Sequence, residues 1–135
     1  MTNVLNLGEQ SRKELNKCDT FDFNIFRLRE LSDGRELEAI HAYVVTKRGC
    51  FVKTKVDINK LLNFNAAIQG GYKNITYHNK THAADLCQSI NMFLTTGDLG
   101  EMMNLDAYEY LAIYTAAICH DFEHPGVNNV FLQHV

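Results

Sequence analysis

From residue 22 onward, apolar side chains recur at close to the three- and four-residue intervals of a helix, in runs separated by turn residues. Asp22 to Leu31 gathers Phe23, Ile25, Phe26 and Leu28 into an apolar cluster, and Ser32-Asp33-Gly34 closes it with a turn signal. Glu36 to Arg48 sets Leu37, Ile40, Val44 and Val45 on a helical face, with Gly49 as the stop. Asp57 is a good N-cap for a run carrying Leu61, Leu62, Phe64, Ala67 and Ile68, which Gly70-Gly71 is expected to break. A further helix is predicted over 80–95, with Ala83, Ala84, Cys87, Ile90 and Leu94 on one side and Thr96-Gly97 at its end. Asp106-Ala-Tyr-Glu109 has the form of a capping box, and Tyr110, Leu111, Ile113, Tyr114, Ala117 and Ile118 after it make a face too broad for a surface helix. That helix delivers His120 and Asp121 at its C-terminal end, and Pro125-Gly126 then turns the chain. The pattern predicts an all-α fold built from several helices.

Composition narrows the possibilities. A chain of 135 residues, 46% hydrophobic, is one compact domain or a large piece of one. With a net charge of −3 and no Lys/Arg run there is nothing to hold a polyanion, so nucleic acid is not an expected partner. No apolar stretch reaches the ~18–20 residues of a membrane span, and the polar start lacks a signal-peptide pattern. Cys18, Cys50, Cys87 and Cys119 are scattered, without a CxxC pair; a reduced, cytoplasmic setting is expected, with Cys87 and Cys119 as small core residues. The organisation read from the chain is a polar lead-in over 1–18, which orders late if at all, followed by one unit over 19–135.

Four of the six histidines stand in two short clusters, His78 with His82 and His120 with His124. Each pair has i, i+4 spacing, which sets two imidazoles on one face of a helix or helix end. Asp121 follows His120 directly, so adjacent backbone positions offer a metal one nitrogen and one oxygen ligand, and a carboxylate with two oxygens can bridge two ions. A lone histidine on an apolar helix is ordinarily a core or surface residue, as expected for His41 and His134. His, Asp, Glu and His within five residues are different, because burying them unpaired costs several kcal/mol. The aromatics flanking the clusters, Tyr77, Phe122 and Phe131, are read as core, with Tyr77 kept as a possible substrate contact.

The string Tyr77-His78-Asn79-Lys80-Thr81-His82-Ala83-Ala84-Asp85 resembles the YHNxxHAAD motif of the class I 3′,5′-cyclic-nucleotide phosphodiesterases, and His120-Asp121-Phe122-Glu123-His124-Pro125-Gly126 followed by Asn129 resembles their HDxxHPGxxN motif. The resemblance extends upstream through Phe21 to Phe26, Gly34-Arg35-Glu36-Leu37, and Leu62-Asn63-Phe64 leading to Gly71-Tyr72. It covers the chain from about Asp19 to Val135. Either motif alone would point only to the wider group of HD-type phosphohydrolases. Glu123 departs from the aspartate that many members carry there.

The resemblance implies an N-terminal portion of a multi-helix catalytic domain that hydrolyses cyclic AMP, cyclic GMP or both to 5′-nucleoside monophosphates. It implies two divalent ions: one, expected to be zinc, on His82, His120 and Asp121, and a second, expected to be magnesium or manganese, reached by Asp121. His78 takes the position that protonates the leaving ribose O3′. His124 and Asn129 match positions around metal-held water, and Asp85 is a candidate orienting residue. In the family a further metal-binding aspartate and the purine-gripping glutamine come from a later stretch, so the chain as given is expected to need the remainder of the domain. Another HD-type metal phosphohydrolase, or a truncated non-catalytic product, are the alternatives.

Overall fold

The computed structural model describes residues 5–135 and is helical throughout; among the described residues there is no strand. The elements are α1 (Glu9–Leu15), α2 (Ile25–Leu31), α3 (Glu36–Lys47), α4 (Cys50–Thr54), α5 (Ile58–Gly71), α6 (Lys80–Thr95), α7 (Leu99–Met102), α8 (Ala107–Cys119) and α9 (Asn129–Gln133). The predicted all-α class holds.

Side-chain caps set several boundaries. Asp57 accepts from the backbone N–H of Asn59 and Lys60, and Asp106 from Tyr108 and Glu109 while the Glu109 carboxylate returns to the Asp106 N–H. The helix expected from Asp22 begins at Ile25, because Asn24 Oδ1 accepts from Phe26 and Arg27 and fixes the start there. Gly70 and Gly71 do not break α5; the helix runs through both.

α3 is the axis of the packing. Leu37, Ile40, Val44 and Val45 are fully enclosed, and the helix touches α1, α2, α4, α5, α6 and α8. α6 packs on α8 and α3 and contributes Ala83, Ala84, Cys87 and Leu94. Small residues at 83, 84 and 87 bring the α6 backbone close to its neighbours. Three hydrogen bonds between buried or half-buried side chains cross these contacts: Thr81 Oγ1 donates to the Glu36 carboxylate at 2.7 Å, and Tyr114 donates to Asn91, whose amide donates to Asp19 at 2.6 Å.

The lead-in expected over 1–18 needs correction where it is described. Residues 1–4 lie outside the described residues, but α1 packs on α2 and α3, burying Leu7, Ser11, Leu15 and Cys18. Those positions recur at i, i+4, i+8 and i+11, a helical face hidden in a polar composition. Ser11 donates to the Leu31 carbonyl and Glu14 accepts from the Asn24 N–H, tying the segment to α2. On α8 the buried set is narrower than expected: Tyr114, Ala117 and Ile118 are enclosed, whereas Tyr110, Leu111 and Ile113 are half-buried. Phe26 and Phe64, read as apolar-face residues, are exposed. All four cysteines are free, Cys119 only half-buried, and no helix is long and apolar enough to cross a membrane among the described residues.

Candidate metal centre

The start of α6 and the end of α8 meet at one place, and the two histidine clusters meet with them. His82 lies in the first turn of α6, His120 is the C-cap of α8, and Asp121 is the next residue. His78 and His124 are not helical: His78 precedes the cap Asn79, and His124 lies in the turn after α8. The i, i+4 spacing therefore does not place either pair on one helix face; the backbone turns do.

Asn79 makes the first of these turns. Its carboxamide oxygen accepts from the N–H of Thr81 and His82, and its NH2 donates to the Ile75 carbonyl at 2.9 Å. One side chain thus caps α6 and ties back the loop that carries His78. Tyr72 makes the second link. Its hydroxyl donates to the Ile118 carbonyl at 2.7 Å, one of the last-turn carbonyls that α8 itself leaves unused, and accepts from the Asp121 N–H at 3.3 Å. Burial pushes its ionisation up to about 12, so it stays a hydroxyl. A Cβ at Gly71 beside it would lie 2.0 Å from the Phe122 ring, which would have to move to admit it. Tyr72, Asn79 and Gly71 entered the sequence reading only as parts of the resemblance and were given no role as site supports; for Asn79, its place directly before a helical run was a further signal.

His82 Nε2 and His120 Nε2 lie 3.4 and 2.9 Å from Asp121 Oδ2. His120 Nδ1 is 2.7 Å from the Ala117 carbonyl, which can only accept, so Nδ1 carries the proton. Neutral His120 then turns a lone pair at a carboxylate oxygen, an arrangement that requires a cation, proton or metal, between them. His82 is held below its usual pKa, first by burial and then by its histidine neighbours, with Asp121 acting the other way; this favours a free nitrogen lone pair. Two ligand atoms on one tetrahedral zinc stand roughly 3.3 Å apart for bonds of about 2.0 to 2.2 Å. The N, N, O set at 82, 120 and 121 fits a divalent ion of that kind.

A second group, His78, Asp121 and His124, is also compact enough for an ion, but its chemistry is less suited. His124 Nδ1 accepts from the Gly126 N–H at 3.0 Å, which puts the proton of the neutral ring on Nε2 and leaves that nitrogen a donor. His78 belongs to this second group and not to the first, and its ring lies stacked on His124.

The remaining sequence candidates are placed apart. Asp85 is exposed on α6 and hydrogen-bonds neither His78 nor His82, though its charge favours protonation of His82. Asn129 opens α9, exposed, while its neighbour Asn128 caps that helix through the Phe131 N–H. The core assignment of Tyr77, Phe122 and Phe131 is corrected: they are 65%, 40% and 54% exposed. Phe122 meets Tyr72 in a T-shaped contact. Tyr77 borders the cluster, 4.7 Å from the His82 ring centroid and 5.0 Å from that of His78.

Comparison with known proteins agrees with this geometry. The family described as 3'5'-cyclic nucleotide phosphodiesterase matches residues 77–135, which contain every residue of the cluster. The chain is 37% identical over 125 residues to the rat protein named 3',5'-cyclic-AMP phosphodiesterase 4C, covering 92% of this chain and 23% of the relative. It is 36% identical over 128 residues to 3',5'-cyclic-AMP phosphodiesterase 4 of Dictyostelium discoideum, covering 93% of this chain and 12% of the relative. It is 34% identical over 119 residues to the Drosophila melanogaster high affinity cAMP-specific and IBMX-insensitive 3',5'-cyclic phosphodiesterase 8, covering 87% of this chain and 13% of the relative. The chain thus spans less than a quarter of each of these three relatives.

Proposed function

We infer, because this chain carries part of a class I 3′,5′-cyclic-nucleotide phosphodiesterase domain, that the protein hydrolyses 3′,5′-cyclic nucleotides to 5′-nucleoside monophosphates. Members of that family use divalent metal ions. His82, His120 and Asp121 would hold one ion, and zinc suits their nitrogen-rich set; Asp121 would also help hold a neighbouring magnesium or manganese ion. A divalent cation held there supplies positive charge to phosphoryl oxygens and lowers the pKa of water. His78 is the proton donor to the leaving ribose O3′, a role worth roughly 10²- to 10⁴-fold in rate for such an acid. It suits that role because it stands outside the three-ligand group and has no hydrogen-bond partner on either ring nitrogen among the described residues. His124 lies in the turn beyond the ligands, Asn129 opens the helix that follows, and Asp85 adds negative charge near His82. Tyr77, exposed beside His78 and His82, would touch substrate.

The observation that carries this reading is the convergence of two imidazole nitrogens on one oxygen of Asp121, with the His120 proton committed to Nδ1. Cyclic AMP is the substrate to assay first, since the rat, Dictyostelium and fly relatives are named for it. We also propose that these 135 residues form one wall of the site and need the remainder of the domain for turnover, and that the protein works in the reducing cytoplasm. His120 is exposed, and so are Tyr77, Phe122 and Phe131, which favours this division. The same openness favours, as second reading, a metal-binding chain without activity of its own. The test is hydrolysis of cyclic AMP and cyclic GMP against nucleoside mono- and triphosphates, by the 135-residue chain and by a longer chain containing it. Cyclic-nucleotide turnover by the longer chain alone is expected. Turnover by the 135 residues refutes the division, and a preference for nucleoside mono- or triphosphates refutes the substrate class.

A further inference from the structure

The His78 ring has no polar anchor. Among the described residues neither of its nitrogens is hydrogen-bonded, and it sits on irregular backbone before the Asn79 cap. Its orientation rests on ring contacts with three neighbours. Tyr77 and His82 meet it edge to face, at interplanar angles of 76° and 84°. Only His124 lies flat against it, with centroids 4.1 Å apart and planes 15° from parallel. With His124 flat against one face, a turn of the His78 ring out of the common plane would run into it.

His124 is itself held rigidly. Its Nδ1 accepts from the Gly126 N–H at 3.0 Å across Pro125, and the turn is shaped by Glu123 at φ +58° and Gly126 at φ +83°. The Asp121 carbonyl accepts from the His124 N–H at 3.0 Å, so the turn starts from the ligand-bearing residue. That hydrogen bond puts the neutral His124 proton on Nε2, as described for the metal centre, and removes the residue from the ligand set. What remains is a fixed aromatic plate pressed against the proton donor.

We propose that His124 is a positioning residue for His78, holding its ring by stacking, with the Gly126 N–H as the anchor of the plate. His124 acts on the proton donor and not on the metal. This deepens the function proposed above, and rests on it for the role of His78; the stack itself does not.

The test separates the two. In the metal-free 135-residue chain, an NOE between the His78 and His124 ring protons is expected, with the His78 ring signals shifted upfield by the facing ring. His124→Asn, which can still accept from Gly126 but has no ring, should abolish that shift; His124→Phe, a ring without the acceptor, should retain part of it. Zinc affinity, measured by competition with a chromophoric chelator, should change less than threefold in both variants. In a hydrolytically active chain, His124→Asn should lower kcat on cyclic AMP at least tenfold with KM within threefold, and His124→Phe should recover part of the loss. Its effect should shrink to under threefold on a bis(4-nitrophenyl) phosphodiester, whose leaving group needs no proton. Absence of the NOE, or an equal kcat loss on both substrates, overturns the proposal. A tenfold loss of zinc affinity in His124→Asn overturns it as well, by assigning His124 to the metal. Should wild-type chain fail to bind zinc while the NOE and shifts behave as stated, the metal reading fails and the stack stands.

Discussion

Replacing Tyr72 by Phe removes one oxygen and leaves two backbone groups without partners. The hydroxyl donates to the Ile118 carbonyl and accepts from the Asp121 N–H, and the residue is 9% exposed, so water replaces it poorly. Each buried polar group left unsatisfied costs about 1–3 kcal/mol. The 3.3 Å contact is the weaker of the two, so the sum falls at about 2–4 kcal/mol. Phe keeps the ring that meets Phe122 edge on at 6.2 Å, so packing changes little and the loss is polar. The second effect is local: with its N–H released, Asp121 presents its carboxylate less firmly to His82 and His120, and loss of such outer support typically costs roughly 10–100-fold in metal affinity. Urea denaturation of the metal-free chain with the slope held constant measures the first quantity, and zinc competition measures the second. A stability change under about 0.5 kcal/mol with unchanged zinc affinity would refute the role given to Tyr72.

Three further outcomes follow from the same structure. Burial of His41, partly offset by Asn65, pushes its pKa down to about 4, so between that value and an unfolded value of about 6.5 the unfolded chain binds more protons. Stability contributed by neutral His41 is complete above pH 6.5 and declines toward pH 4 by up to about 3 kcal/mol, a decline that denaturant curves at pH 7 and 4.5 should show reduced in His41→Gln. Gly71→Ala drives a Cβ into the Phe122 ring and should cost about 1–3 kcal/mol, read as a lower melting temperature, with weaker zinc binding because Phe122 adjoins Asp121. Asp106→Ala removes the capping box of α8 and should cost about 0.5–2 kcal/mol by denaturant titration without altering zinc affinity.

Helix starts were legible at Asp57 and Asp106, each a short polar residue before an apolar run, but not at Asn24, where the helix was expected from Asp22. Asp57 and Asp106 each accept the backbone donors that their positions implied, and 80–95 is helical over the span its apolar face predicted. Composition misled in the first eighteen residues, where three apolar side chains at helical spacing outweighed many polar ones because Ser11 and Glu14 found partners on α2. The candidate ligands could be named from their clustering, but their convergence could not be derived from spacing, since His82 on α6 meets His120 and Asp121 at the end of α8 only through the packing of the two helices. Long-range contacts such as Tyr72 to Ile118 leave no local signature. The exposed aromatics show the limit of the apolar pattern: Tyr77, Phe122 and Phe131 look like core in one dimension and are open in three.

The central claim is one shared cation at His82, His120 and Asp121, and zinc titration of the apo chain tests it most directly. Isothermal titration should give one site, and His82→Ala, His120→Ala and Asp121→Asn should each weaken it at least 100-fold while His78→Asn changes it less than threefold. At 100 times its Kd, zinc should stabilise the wild-type chain by about 2.7 kcal/mol, reversed by EDTA. Wild-type affinity in the 82, 120 and 121 variants, or a site abolished by His78→Asn, would contradict the account.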